Sequence, residues 1–85
     1  MPHENRDPGN VAMVGRMIDS AGRTLAGFDP DQLARLYALH TRVEHAMVTA
    51  IAGQRRQGVH WSSIAAALGV SKAAVIQRWG PRVSA

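Results

Sequence analysis

Between Arg55 and Arg82 this chain gathers side chains that bind rather than transform. The carboxamide of Gln77 can donate to and accept from an adenine edge, and the ammonium of Lys72 suits guanine. Ala73 and Ile76 are small or apolar enough to pack on thymine methyl groups. The hydroxyls of Ser62, Ser63 and Ser71 and the guanidinium groups of Arg55, Arg56 and Arg82 can hold phosphate, and such contacts set register rather than sequence preference. Arg78 has two readings: its stem covers core while its head reaches a phosphate or a carboxylate.

Reaction chemistry finds no comparable set. Ser62, Ser63 and Ser71 have no general base beside them in a recognisable pattern, so they read as helix-start residues and not as nucleophiles. His3, His40, His45 and His60 are the only strong metal-type ligands. His40 and His45 are five apart and diverge around a helix, and neither an H-E-x-x-H nor a Cys/His spacing occurs. A phosphate-cradling glycine loop is also absent from the sequence. The expectation is therefore no enzyme, no metal and no cofactor. Trp61 and Trp79 could stack on bases, but their helical spacing makes them core wedges.

Charge is divided unevenly along the 85 residues, whose net charge is +4. Residues 1–44 hold all six acids (Glu4, Asp7, Asp19, Asp29, Asp31 and Glu44) against five bases. Residues 45–85 hold Arg55, Arg56, Lys72, Arg78 and Arg82 and no acid. A half-chain with nothing to repel phosphate points to a polyanionic partner. The chain has no Cys, which excludes a disulfide framework and a thiolate metal site. No apolar run approaches the ~20 residues a membrane span needs, and the polar start MPHENRDPGN is not a signal peptide.

Those side chains need two short helices to present them. The stretch RRQGVHWSSIAAALGVSKAAVIQRWGP closes one helix at Gly58, runs a short helix from Trp61 to Leu68, and breaks at Gly69-Val70-Ser71. A second short helix follows over 72–79, ended by Gly80-Pro81. Ile64, Ala65, Leu68, Val70, Val75 and Trp79 mark one buried side, with Val70 plugging the corner and Ala65 letting the axes approach. Gly69 allows the sharp turn, and Ser71 can cap the next helix. Lys72, Ala73, Ile76 and Gln77 are left facing outward. Two helices joined by a tight glycine turn form a helix-turn-helix, whose second helix lies in the major groove of DNA.

The segment GVHWSSIAAALGVSKAAVIQRWG resembles the compact three-helix DNA-binding domain common in actinobacterial regulators, which is similar to the sigma-factor region that reads the −35 element. Gly58, Trp61, Ile64, Ala65, Leu68, Gly69, Val70, Ser71, Lys72, Ala74, Val75, Arg78 and Trp79 carry the likeness, over roughly residues 41–82. His60 departs from it where a Ser would cap the first helix, and Ala73 departs where Gln is frequent. The resemblance implies duplex DNA as partner.

The rest of the chain reads as support. Residues 1–9 form a flexible arm, rich in Pro, Asn and charge. Asn10 caps a helix to about Ala21, with Val11, Val14, Met17 and Ile18 on one stripe and Gly22 as its end. Leu25 and Phe28 pin the following loop to the core. Asp29-Pro30-Asp31 starts a helix running to Gln57, with Leu33, Leu36, Tyr37, Val43, Met47, Ala50 and Ile51 as its stripe. A rival reading breaks it at His40, where Thr41-Arg42-Val43-Glu44 resembles a capping box. The apolar surplus of residues 10–54 exceeds what a short two-helix unit can cover, so a homodimer is expected; the alternative is an intrachain hairpin in which helix 10–21 covers the long helix of its own chain. Residues 10–57 then read as the dimerisation and support region and residues 58–82 as the helix-turn-helix.

The fold class expected is all-α: a C-terminal helix-turn-helix preceded by a long helix and a short N-terminal one. The function expected is sequence-specific double-stranded DNA binding by a small bacterial transcriptional regulator, cytoplasmic and nucleoid-associated. Two alternatives stand beside it: a protein-interaction module contacting the transcription machinery, and a nucleoid-type binder with little sequence choice.

Overall fold

The computed structural model describes residues 9–84 of the chain. Four helices follow one another: α1 (Gly9–Leu25), α2 (Leu33–Arg56), α3 (Trp61–Leu68) and α4 (Lys72–Ser84). A single 3-10 turn, Pro30–Gln32, leads into α2. Strands are absent among the described residues, and the fold is all-α as expected. The arm assigned to residues 1–9 lies outside the described residues except for Gly9, which opens α1.

Two compact units divide the chain, residues 1–40 and residues 41–85. The boundary falls inside α2, at 40/41. By its backbone, α2 is unbroken through this boundary. Thr41 and Glu44 therefore do not form a capping box; they sit within the helix, and Glu44 spends its carboxylate elsewhere.

In the first unit, Asn10 lies inside the first turn of α1 and is not its cap. Gly22 does not end the helix either. One more turn continues to Leu25, a half-buried residue on the apolar stripe. The ~1 kcal/mol that an internal glycine costs is evidently offset by extending that stripe. The helix closes where Ala26 N–H donates to Gly22 O at 3.1 Å and Phe28 N–H to Leu25 O at 3.0 Å. Phe28 pins nothing; it is exposed. Asp29 is extended (φ −65°, ψ 151°) and makes no side-chain cap, leaving Pro30 to start the 3-10 turn with its preset φ.

The second unit closes a core of Ile51, Ile64, Ala65, Val75 and Trp79, edged by Met47, Val48, Val59, Trp61, Ile76 and Val83. Of the stripe expected along α2, only its last part is therefore buried. Both helix ends that turn toward this core use the same device. Val59 N–H donates to Gln54 O and Gly58 N–H to Arg55 O, each at 3.0 Å. Val70 N–H to Ala65 O (3.1 Å) and Gly69 N–H to Ala66 O (3.2 Å) repeat that pattern. Such paired bonds satisfy carbonyls left open at a helix end, and they require a left-handed residue. Gly58 (φ 90°) and Gly69 (φ 72°) supply it.

Three expectations in this unit are corrected. Leu68 and Val70 were expected in the core and are instead 41 % and 45 % exposed. Val70 contributes its backbone to the turn, while its side chain lines an open groove with Leu68, Ala74, Val75 and Trp79. Next, α4 does not stop at Gly80-Pro81 but runs on to Ser84. Gly80 lacks the Cβ that would crowd the following proline ring. A Cβ there would also meet Ile76 Cγ2 at 3.1 Å. Val83 then packs on the core, holding the last turn in place. Ile76 is the third: it is half-buried against the core and does not face outward.

Candidate nucleic-acid interface

The turn between α3 and α4 positions most of the residues singled out from the sequence. Ser71 Oγ accepts from Ala74 N–H at 3.0 Å, and Ser71 O accepts from Val75 N–H at 3.1 Å. That is a side-chain N-cap, a contact that contributes about 1 kcal/mol. It commits the Ser71 hydroxyl to the backbone. Immediately beyond, Lys72, Ala73, Ala74 and Gln77 are exposed, while Val75, 1 % exposed, anchors the same helix. The start of α4 is thus held rigidly by cap and core while its polar side stays open.

At the start of α3, Ser62 and Ser63 are exposed. His60 precedes them in an extended conformation without capping through its side chain; its carbonyl accepts from Ser63 N–H (3.0 Å) and Ile64 N–H (3.2 Å). Removing the expected serine cap therefore leaves the helix intact, because the backbone bonds and the burial of Ile64 hold it.

The five cations of the region are not equivalent. Arg55 Nη1 donates to Val59 O at 2.9 Å, and its guanidinium lies 5.2 Å from the Trp61 ring centroid. It clamps the corner between α2 and α3. Arg56 is exposed. Arg78 reaches a carboxylate: its Nη2 donates to Glu44 Oε1 at 2.5 Å, and its guanidinium stands 4.9 Å from the Trp79 ring centroid. Arg82 Nη1 donates to the other oxygen, Glu44 Oε2, at 3.2 Å. Among the described residues Lys72 has no carboxylate partner.

Glu44 is the one residue of this region whose partners its place in the sequence does not announce. It carries the sole acidic side chain of residues 41–85, and two arginines of α4 converge on it. The hydrogen bond from Arg78 holds its carboxyl below the usual glutamate range; partial desolvation opposes this, and the positive charges of Arg78 and Arg82 reinforce it. The consequence is electrostatic: the unit's one negative charge is neutralised where it sits, beside the open groove. Arg42, exposed on α2, is a further cation of this unit.

Trp79 behaves as the core wedge expected of it, and Trp61 is half-buried at the core's edge. The indole Nε1–H of Trp79 is buried without an acceptor. Such an orphaned donor carries a desolvation cost of about 1–3 kcal/mol. No described helix is long and apolar enough to cross a membrane. No family model, curated protein or solved structure matches this chain.

Proposed function

We propose that residues 41–85 bind double-stranded DNA, without catalysis, as the reading head of a small transcriptional regulator. One observation carries this reading: a capped, core-anchored α4 presents Lys72, Ala73 and Gln77 to solvent with no unneutralised acidic side chain among the described residues of the unit. In this proposal the start of α4 enters the major groove. Gln77 and Lys72 contact base edges, and Ala73, with Ala74 beside it, replaces Ile76 as the surface for thymine methyls. Ser62, Ser63 and Arg56 hold phosphates across the groove. Arg55, Arg78 and Arg82 are held by the protein and contribute through their field. The sequence likeness to three-helix DNA-binding domains supports the same assignment.

Selection of bound duplexes from a random pool, followed by titration of the best one, tests it. Binding should weaken as salt rises, because Arg56 and the field of the unit's other cations displace counterions from the duplex. Lys72→Ala with Gln77→Ala should erase the preference among sequences while thermal unfolding stays unchanged. Unchanged preference in that double variant would refute the role given to α4.

A second reading has its own observation. The 420 Å³ groove lined by Leu68, Val70, Ala74 and Trp79 leaves apolar surface open beside α4. A protein partner of the transcription machinery inserting an apolar side chain there would make DNA secondary. Absence of any duplex binding at low salt would favour it.

A further inference from the structure

Of the six cations in residues 41–85, two are drawn onto one acid. Arg78 and Arg82 stand one turn apart on α4, so they leave the helix on the same side. Each takes a different oxygen of Glu44: Arg78 Nη2 donates to Oε1, and Arg82 Nη1 to Oε2. The two arginine side chains are 56 % and 43 % exposed, against 25 % for Glu44. The acid is thus the sheltered member of the three. Each guanidinium has five N–H donors, so donors remain for a ligand arriving from solvent.

Their place on α4 matters. Ala74, exposed beside Ala73, precedes Arg78 by one turn, so the pair flanks the side of α4 that carries Ala73 and Gln77. When a helix lies in the major groove, the backbone phosphates run along its flanks. Glu44 offers the pair what one such phosphate offers: two acceptor oxygens and a single negative charge. Water screens an ion pair this exposed, so it holds weakly enough for a polyanion to compete.

We infer that Glu44 is an internal competitor of phosphate, which withholds Arg78 and Arg82 from the duplex backbone and keeps affinity below what six cations would give. This rests on reading residues 41–85 as a duplex binder, and names the residue that restrains that binding. Glu44 sets grip and not sequence preference, because phosphate contacts carry no sequence information.

Titration of the full chain with the selected duplex and with an unrelated one, across a range of salt concentrations, tests this. Glu44→Gln should steepen the logarithmic salt slope by about 0.9 for each guanidinium released. At ~0.1 M salt that amounts to roughly tenfold tighter binding per added contact. Both duplexes should gain alike. Adding Arg78→Gln and Arg82→Gln to that variant should erase the gain. Asp31→Asn changes net charge equally but in the first unit, and should leave affinity and slope as in the wild type. Neither Glu44 nor the two arginines belong to the core, so the unfolding transition of Trp61 and Trp79 should persist in each variant.

Unchanged or weaker binding by Glu44→Gln overturns the inference and leaves the DNA reading standing. So does an equal gain from Asp31→Asn, or a gain that survives loss of both arginines. Loss of the Trp transition in Glu44→Gln also overturns it, since Glu44 would then serve the fold. If neither wild type nor Glu44→Gln binds any duplex at low salt, the DNA reading itself fails and takes the inference with it.

Discussion

Residues 41–85 close a core around Val75 and Trp79, whereas the described part of residues 1–40 buries no side chain at all. Both regions are helical and both carry apolar stripes, so amphipathicity does not separate them. Tight turns do. The second unit reverses direction twice through left-handed glycines and caps its last helix with Ser71, which folds three short helical segments onto one another. The first unit joins α1 to α2 through a longer, exposed connection with no side-chain cap at Asp29. A helix stripe is a demand for cover, and only chain reversal at close range meets that demand within one small unit.

The sharpest way to break this contrast is to place the same charge in both units. Val75→Asp should cost more than about 4 kcal/mol, enough to abolish the cooperative transition of so small a core. Tyr37→Asp, at an exposed site of the first unit, should change stability by no more than about 0.5 kcal/mol. Thermal unfolding followed by Trp fluorescence and far-ultraviolet circular dichroism checks both. Equal effects would mean that the two units share one core.

Glycine offers a test with opposite signs. Gly69→Ala puts a Cβ on a left-handed residue and should destabilise by about 1–2 kcal/mol. Gly15→Ala, within α1 and with open space where its Cβ would go, should stabilise by about 0.5–1 kcal/mol. Midpoints in urea compare the two directly. Matching signs would remove the distinction drawn between turn and helix glycines.

The smallest effect is that of Glu44. Its folded-state carboxyl is held below the ordinary glutamate value, so its contribution is present above the unfolded value of about 4.3 and is lost as pH falls through the lowered folded value. Melting temperature should therefore decline across that acid window in the wild type more than in Glu44→Gln. Both should coincide well below it, because the native carboxyl is then protonated. Identical acid profiles would show that Arg78 and Arg82 hold Glu44 without stabilising the fold.

Much of the second unit was legible in the residues themselves. Gly58, Gly69 and Ser71 announce their turns and cap because the requirement is local: one left-handed residue, one hydroxyl within reach of a free N–H. Val75 and Trp79 follow by periodicity from there. Errors cluster where a local breaker met a distant gain. Gly80-Pro81 reads as a stop, yet Val83 finds core beyond it. Gly22 reads as an end, yet Leu25 extends the stripe past it. Ile76 looked outward by its place beside Lys72 and Gln77, yet lies against the core.

By itself, then, the amino-acid order determined the helices, both glycine turns, the Ser71 cap and the cationic balance of residues 45–85. Each of these depends on neighbours a few positions apart along the chain. Tertiary structure alone decided that Glu44 would meet Arg78 and Arg82, that Arg55 would cover Trp61, and that Leu68 and Val70 would stay open to solvent. Glu44 and Arg78 are 34 residues apart, and only the packing of helices brings a carboxylate and a guanidinium together across such a separation.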